Sequence, residues 1–314
     1  RSELYVEPTR KVASKLGLEE FVRVKLGTVG ERVVATALPR GAGLITSITE
    51  ADGIVRIPEH VEGLRENQAV KAELLKPPAA IDNTIVAVGS HDNTLDIIAD
   101  ELKGGSTGYS LSSSHVGSMG GLMAIKRGAC HVTGTHLLDT ETGSYNLSYL
   151  MKYLPTLDVR LVNLVMRDQG FIIPKGNPKG IKDIADLVRD DLSFINRQGG
   201  SGTRILLDYR LQQRDIDPAE INGYDTEEYT HMSVAVAVLS GTVDVGLGIF
   251  AAAKALDLDF IPVVTEQYDL VIPQQHFESA QIQALMDIIK SNVFKMRVAA
   301  LGGYATDKTG QILM

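Results

Sequence analysis

Apolar and polar residues alternate along the first quarter of the chain with the two-residue period of half-buried β-strands. Residues 20–26 (Glu-Phe-Val-Arg-Val-Lys-Leu) show this best, and residues 32–36, 53–57 and 68–75 are further candidate strands. The turn signals between them are Gly41 and Gly43, Asp52-Gly53 and Glu62-Gly63. The pattern predicts a small all-β domain over residues 1–77.

From Asn83 onward, the pattern changes to strands that alternate with helices. The predicted strands are residues 84–89, 108–111, 130–135, 159–165, 170–174, 192–196, 243–247, 260–264 and 269–272. The predicted helices are residues 93–102, 117–127, 145–153, 181–188, 202–213, 231–240 and 278–292. Such alternation predicts a mostly parallel sheet with helices on both faces. Pro77-Pro78 makes residues 76–81 the best candidate linker between this α/β domain, residues 78–314, and the first.

Composition narrows the class of protein. The chain has 314 residues, of which 44% are hydrophobic and 22% charged, so a disordered or fibrous chain is excluded. The net charge of −8 argues against nucleic acid as a partner. One cysteine, Cys130, rules out an intrachain disulfide and fits a reducing compartment. No segment approaches the roughly 20 apolar residues of a membrane span, so we expect a cytoplasmic protein with no membrane partner.

Several predicted strands of the second domain end in Gly, Ser or Thr where a helix begins. Unpaired backbone N–H groups and a partial positive charge at such helix starts favour an oxyanion. The alternative for each hydroxyl is an ordinary helix cap. The candidate residues at these ends are Ser90, His91, Ser114, Ser118, Thr135, Thr230 and His231. His91, His115, His136 and His231 all fall at strand ends, where they would either contact a ligand or support it through hydrogen bonds.

The sharpest signal is the loop over residues 197–204, Arg-Gln-Gly-Gly-Ser-Gly-Thr-Arg. Its small residues cannot pack a core, and an arginine at each end is able to hold an anion. The candidates here are Arg197, Ser201, Gly202, Thr203 and Arg204. The alternative is a surface turn with two solvated arginines. No Lys precedes the hydroxyl residue, so this is not a phosphate-binding loop of the Lys-Ser/Thr type, and the histidine spacing predicts no metal site.

Two resemblances refine this interpretation. Residues 40–47 (Arg-Gly-Ala-Gly-Leu-Ile-Thr-Ser), with 51–59 and 62–64, resemble the C-terminal β-barrel domain of molybdopterin molybdotransferases. Residues 82–314 resemble the periplasmic-binding-protein-like domain fused to such enzymes in some prokaryotes. The segments that carry this second likeness are Gly89-Ser90-His91-Asp92, residues 115–122, residues 135–139, Asn196-Arg197-Gln198 with Gly202-Thr203-Arg204, and residues 268–273.

The second resemblance implies the type II two-lobed fold that molybdate and tungstate carriers and LysR-type effector domains use. Lobe one would comprise residues 82–163 and 266–314, and lobe two residues 164–265, with crossings near Asn163 and Glu266. The predicted fold class is therefore α/β, a two-lobed binding domain preceded by a small all-β barrel. Ligand would bind between the lobes.

We expect this chain to bind a small oxyanion, molybdate or tungstate, and to sense or deliver it for molybdenum-cofactor assembly. The catalytic domain of the molybdotransferase is missing from this chain, so we expect no catalytic residue, and that domain is a candidate partner. A second copy of the chain, in a homodimer, is a further candidate partner. The alternative function is a regulatory module for a small organic effector, a pterin or a carboxylate, that controls an attached molybdotransferase.

Overall fold

A computed structural model describes residues 2–39 and 49–314. The predicted turn at Gly41 and Gly43 and the motif at residues 40–47 lie outside this part of the chain. The strands of the first domain are β1 (Glu3–Pro8), β2 (Val12–Ala13), β3 (Glu20–Val29), β4 (Arg32–Ala37), β5 (Gly53–Ile57), β6 (Gly63–Leu64) and β7 (Val70–Leu74).

The first domain is a small closed barrel in the order β1-β4-β3-β5-β7, and β1 closes it by pairing with β7. The predicted alternation is confirmed in β3, where Val22, Val24 and Leu26 point into the core. Sequence analysis did not predict β1. Its parallel pairing with β4 removes an open sheet edge.

The second domain is α/β. Its strands are β8 (Thr84–Gly89), β9 (Ser110–His115), β10 (Thr133–Thr135), β11 (Val159–Ile173), β12 (Phe194–Arg197), β13 (Glu227–Glu228), β14 (Val245–Ile249), β15 (Asp259–Pro273) and β16 (Tyr304–Ala305). Its helices are α1 (Pro78–Asp82), α2 (Asn93–Gly104), α3 (Gly117–Lys126), α4 (Leu147–Tyr153), α5 (Gly202–Gln212), α6 (His231–Leu239), α7 (Phe250–Ala255), α8 (Gln274–Phe277), α9 (Ala280–Lys290) and α10 (Asn292–Leu301). Short 3-10 turns span Ile184–Val188 and Pro218–Glu220.

Two strands of 15 residues, β11 and β15, pair antiparallel along their whole length and run through both lobes. The prediction of two separate strands in each segment was wrong. Polar residues such as Arg167 and Glu266 interrupt the apolar pattern, but they lie opposite each other in the pairing and satisfy one another. The central sheet, in the order β10-β15-β11-β14-β12-β13, therefore mixes parallel and antiparallel pairs and is not mostly parallel.

Each end of the β11–β15 pair belongs to a different lobe. At one end β10 joins β15, and the β8–β9 pair adjoins β10 through a bridge between Ala87 and Val132. At the other end β14, β12 and β13 extend the sheet from β11. Asn163 and Glu266, where the crossings were predicted, lie within these two strands, whose pairing shifts register between Asn163 and Val165 and between Gln169 and Gly170.

The barrel packs directly on lobe one. A Cβ atom added to Gly27 would lie 2.4 Å from Cγ2 of Val86, and Thr28 donates a hydrogen bond of 2.7 Å to Asp82. The predicted linker is in part the helix α1, whose Ile81 is buried in the barrel core. A proline is tolerated in the first turn of a helix, so the Pro77-Pro78 pair begins this helix instead of extending a linker.

Two other helical predictions differ from the structure. Residues 181–188 form only the 3-10 turn Ile184–Val188, and the long helix predicted over residues 278–292 ends at Lys290. Ser291 then caps a separate helix, α10. No helix among the described residues is long and apolar enough to cross a membrane.

Candidate functional site

A cluster of buried charges lies where the two lobes meet. Arg167 on β11 contacts Glu266 on β15, and its Nη1 atom lies 2.5 Å from Oδ2 of Asp92, the residue that caps α2. Tyr304 donates a further hydrogen bond of 2.9 Å to the same Asp92 oxygen. Burial alone would raise the pKa of Glu266, but the charge of Arg167 and the hydrogen bond from His136 lower it to about 2. Both carboxylates are therefore ionised, and each forms an ion pair with Arg167.

A hydrogen-bond chain joins this cluster to the end of β8. Oγ of Ser90 lies 2.9 Å from Nε2 of His136, and Nδ1 of the same histidine lies 2.9 Å from Oε2 of Glu266. The hydroxyl of Tyr268 donates to the backbone oxygen of Ser90 at 2.5 Å. Burial lowers the pKa of His136, and Glu266 only partly opposes this effect. The three side chains thus form a buried serine–histidine–carboxylate chain.

Arg197, at the end of β12, is a buried cation without a carboxylate partner among the described residues. Its Nε and Nη2 atoms donate only to neutral oxygens, those of Gln198, Glu228 (backbone) and Tyr229 (backbone), at 3.0 to 3.2 Å. Its Nη1 atom has no partner there. Burial, followed by repulsion from Arg167, lowers the pKa of Arg197 to about 10. An unpaired buried charge is costly, so this side chain favours an anionic ligand.

Other buried polar atoms from both lobes also lack partners among residues 2–39 and 49–314. They include Oγ of Ser114 in lobe one, Oγ1 of Thr203 and both ring nitrogens of His231 in lobe two, and Nη2 of Arg167 between the lobes. Burial, and then the charges of Arg197 and Arg167, hold the pKa of His231 far below its usual value. The charges of Arg197 and Arg167 both act on His231, so these three side chains share one region of the protein. Buried polar groups without partners are rare in folded proteins.

Four of the predicted hydroxyls are already engaged. Ser201 caps α5 by accepting from the amide of Arg204 at 3.2 Å, and Thr230 caps α6. Thr135 donates to Asn146 at 3.1 Å, and Ser118 accepts from the backbone N–H of His136 at 3.3 Å. Ser201 and Thr230 are therefore ordinary helix caps, as the alternative interpretation predicted.

The two arginines of the predicted loop differ sharply. Arg204 lies 3.2 Å from both Asp208 and Glu227, and its guanidinium stacks 4.0 Å from the ring centre of Tyr224. Its charge is therefore neutralised locally, whereas that of Arg197 is not. His91 lies 3.3 Å from Asp96 and 4.1 Å, between ring centres, from His115, at the edge of the site.

The loop of lobe two lies against lobe one. A Cβ atom added to Gly202 would lie 2.4 Å from Nδ1 of His136, and one added to Gly117 would lie 3.5 Å from the backbone oxygen of Gly200. These approaches describe a closed cleft in which glycine is required at position 202. Among the described residues, no three His, Cys, Asp or Glu side chains are grouped to hold a metal ion.

Sequence analysis missed Arg167, Glu266 and Asp92 as parts of the site. The sequence did contain a signal for two of them, because positions 167 and 266 are charged residues within strongly apolar segments. A charge is rarely buried in a strand without a partner, so each of these residues indicated a buried ion pair or a site. His136 was noted at a strand end, but its link to Ser90 and Glu266 depends on the fold.

Comparison with known proteins gives two family matches, the PBP superfamily domain over residues 99–290 and the MoeA C-terminal region (domain IV) over residues 5–75. The protein YvgK of Bacillus subtilis is 35% identical over 229 residues, 73% of each chain. A Methanocaldococcus jannaschii protein named for molybdopterin biosynthesis, MJ0666, is 38% identical over 76 residues, 24% of this chain and 18% of that one.

A phosphate-bound substrate-binding protein of Clostridium perfringens, assigned to phosphate ABC transport, matches with a TM-score of 0.52 at 13% identity, over 69% of this chain and 97% of that one. The structural likeness supports the two-lobed fold.

Proposed function

Because this chain belongs to the PBP superfamily and carries a MoeA C-terminal barrel, we propose that it binds molybdate or tungstate between its two lobes. The observation that carries the proposal is Arg197, a buried guanidinium with no carboxylate partner among the described residues. An oxyanion bound at its Nη1 atom would remove the cost of burying that charge.

The charges around the site support a small anion. Arg167 and Arg197 balance Asp92 and Glu266, and His136 and His231 are held neutral by burial. Both carboxylates are occupied by Arg167, so neither is free to repel a ligand. The unpartnered hydroxyls of Ser114 and Thr203 would add hydrogen bonds from opposite lobes, which would favour the closed cleft when an anion is present.

The link to molybdenum depends on the barrel. That domain matches the MoeA C-terminal region, and MJ0666, which is 38% identical to this chain over 76 residues, is named for molybdopterin biosynthesis. The C. perfringens protein of the same fold has a bound phosphate, which is also a tetrahedral oxyanion. In this proposal, the chain senses or delivers the anion in the cytoplasm. The barrel is fixed to lobe one, so lobe closure would move lobe two relative to the barrel and to a molybdotransferase catalytic domain bound there.

Thermal unfolding and titration calorimetry test the proposal with molybdate, tungstate, sulfate, phosphate and a pterin as separate probes. At a hundredfold excess over its dissociation constant, a ligand should stabilise the protein by about 2.7 kcal/mol. Thr203→Val removes an unpartnered hydroxyl and should weaken molybdate binding about tenfold or more without lowering ligand-free stability. Thr107→Val, at an exposed loop, is the matched control. A response to the pterin alone, or to no anion, would refute the proposal.

A further inference from the structure

The chemistry of Glu266 fixes which nitrogen of His136 carries a proton. Arg167 contacts Glu266 and keeps it ionised, so its Oε2 atom can only accept a hydrogen bond. Nδ1 of His136, 2.9 Å away, must then be the donor. A neutral imidazole carries a single N–H, so Nε2 of the same ring is left as an acceptor.

This tautomer also fixes the direction of the Ser90 hydroxyl. Because Nε2 of His136 accepts, the Ser90 O–H donates to it across the 2.9 Å contact. Oγ of Ser90 then offers only lone pairs to anything else in the cleft. A fully ionised oxyanion such as molybdate or sulfate also offers only lone pairs, so the two would repel each other.

Turning the Ser90 proton toward the anion does not solve the conflict while His136 stays neutral. Nε2 would lose its donor, and the ring is 1% exposed, so water does not replace it. Gly202 of the opposite lobe lies directly against the same ring. A proton on Nε2 removes the repulsion between Ser90 and the anion. The imidazolium then donates to Oγ of Ser90, and the serine hydroxyl is free to donate to the ligand.

We propose that the bound oxyanion contacts Oγ of Ser90, and that the site takes up one proton on His136 with each fully ionised oxyanion, which converts Ser90 from an acceptor into a donor. This inference rests on the proposed function. The proton passes from solvent to Nε2 on binding and returns to solvent on release, so no covalent bond changes. Ser90 and His136 thereby determine the specificity of the site for an anion together with a proton.

The surrounding charges favour this uptake once a dianion is present. Glu266 and Arg167 face His136 from β15 and β11, while Arg197 and His231 approach from lobe two. The four ionised groups Arg167, Arg197, Asp92 and Glu266 sum to zero. A dianion therefore makes the buried site negative, and a proton on His136 halves that charge. In the ligand-free protein, burial and Arg167 keep the ring neutral despite Glu266.

Calorimetric titration of molybdate in two oxyanion-free buffers with different ionisation enthalpies measures the protons taken up. We expect about one proton per molybdate between about pH 7 and about pH 9, with affinity falling about tenfold for each pH unit. His136→Gln should bring the proton number close to zero and flatten the pH dependence. His60→Gln, on the exposed barrel surface, should leave both unchanged.

Two outcomes would overturn the inference while leaving the proposed function intact. They are molybdate binding without proton uptake by the wild-type protein, and loss of the uptake in His231→Gln with retention in His136→Gln. Failure of molybdate to bind at any pH would instead refute the proposed function. The wild-type measurement decides the matter even if a variant does not fold.

Discussion

Replacing Arg197 with methionine separates a ligand-binding role for this side chain from a structural one. Arg197 is 2% exposed and donates to three neutral oxygens, and its Nη1 atom has no partner among the described residues. An arginine kept for stability would be expected to have a carboxylate partner. Arg197→Met keeps a long apolar stem and removes the charge.

The magnitude follows from two opposing terms. One pKa unit is worth about 1.4 kcal/mol. The lowering of the Arg197 pKa from 12.5 to about 10 means that the folded protein disfavours this charge by about 3 kcal/mol. Arg197→Met removes that penalty, because the side chain is charged in the unfolded chain at neutral pH. It also loses three hydrogen bonds, each worth about 1 kcal/mol. We therefore expect the free energy of unfolding without ligand to change by less than about 1 kcal/mol.

Urea unfolding followed by circular dichroism measures the free energy of unfolding without molybdate and the gain that molybdate adds. The wild-type protein should gain about 2.7 kcal/mol at a hundredfold excess of molybdate over its dissociation constant. Arg197→Met should gain almost nothing at the same concentration. Arg204→Met is the matched control, because Arg204 is paired with Asp208 and Glu227, and it should retain most of the gain. A ligand-free loss above about 3 kcal/mol with an unchanged molybdate gain would refute the reasoning and make Arg197 structural.

Three further predictions concern closure, pH and domain packing. Gly202→Ala places a Cβ atom 2.4 Å from the imidazole it faces, so molybdate affinity should fall at least about tenfold by calorimetry, while Gly104→Ala, with open space around it, should not alter it. Burial and its histidine neighbour lower the pKa of His131 from 6.5 to about 4, so the unfolded chain binds the proton first. The contribution of His131 to the free energy of unfolding should be complete above about pH 6.5 and fall by about 3 kcal/mol toward pH 4. In urea titrations over this range, His131→Gln should lose about 3 kcal/mol less than the wild-type protein, in which His136 and His231 also contribute to the loss, and an equal loss in both proteins would contradict the prediction. Gly27→Ala brings a Cβ atom within 2.4 Å of Val86 and should lower the free energy of unfolding by about 1–3 kcal/mol; an unchanged value would mean that the barrel does not pack on lobe one as described.

Local patterns in the sequence predicted much of this architecture. The period-two alternation over residues 20–26 corresponds to β3 because one face of that strand packs in a core. The small residues of 198–203 indicated a loop that opens a helix, and Ser201 does cap α5. The ion pair between Arg204 and Asp208 is also a local feature of the sequence, since Asp208 lies four residues further along the same helix.

The site itself depends on partners that are distant in the chain. Arg167 and Glu266 are 99 residues apart, and each alone would argue against a buried strand, yet the antiparallel pairing of β11 and β15 places them in contact. Sequence likewise does not distinguish Arg197 from Arg204, because both end the same loop. The fold surrounds Arg197 with neutral carbonyl groups and Arg204 with carboxylates. Burial removes water as a substitute partner, so the tertiary structure decides which polar groups remain to bind a ligand.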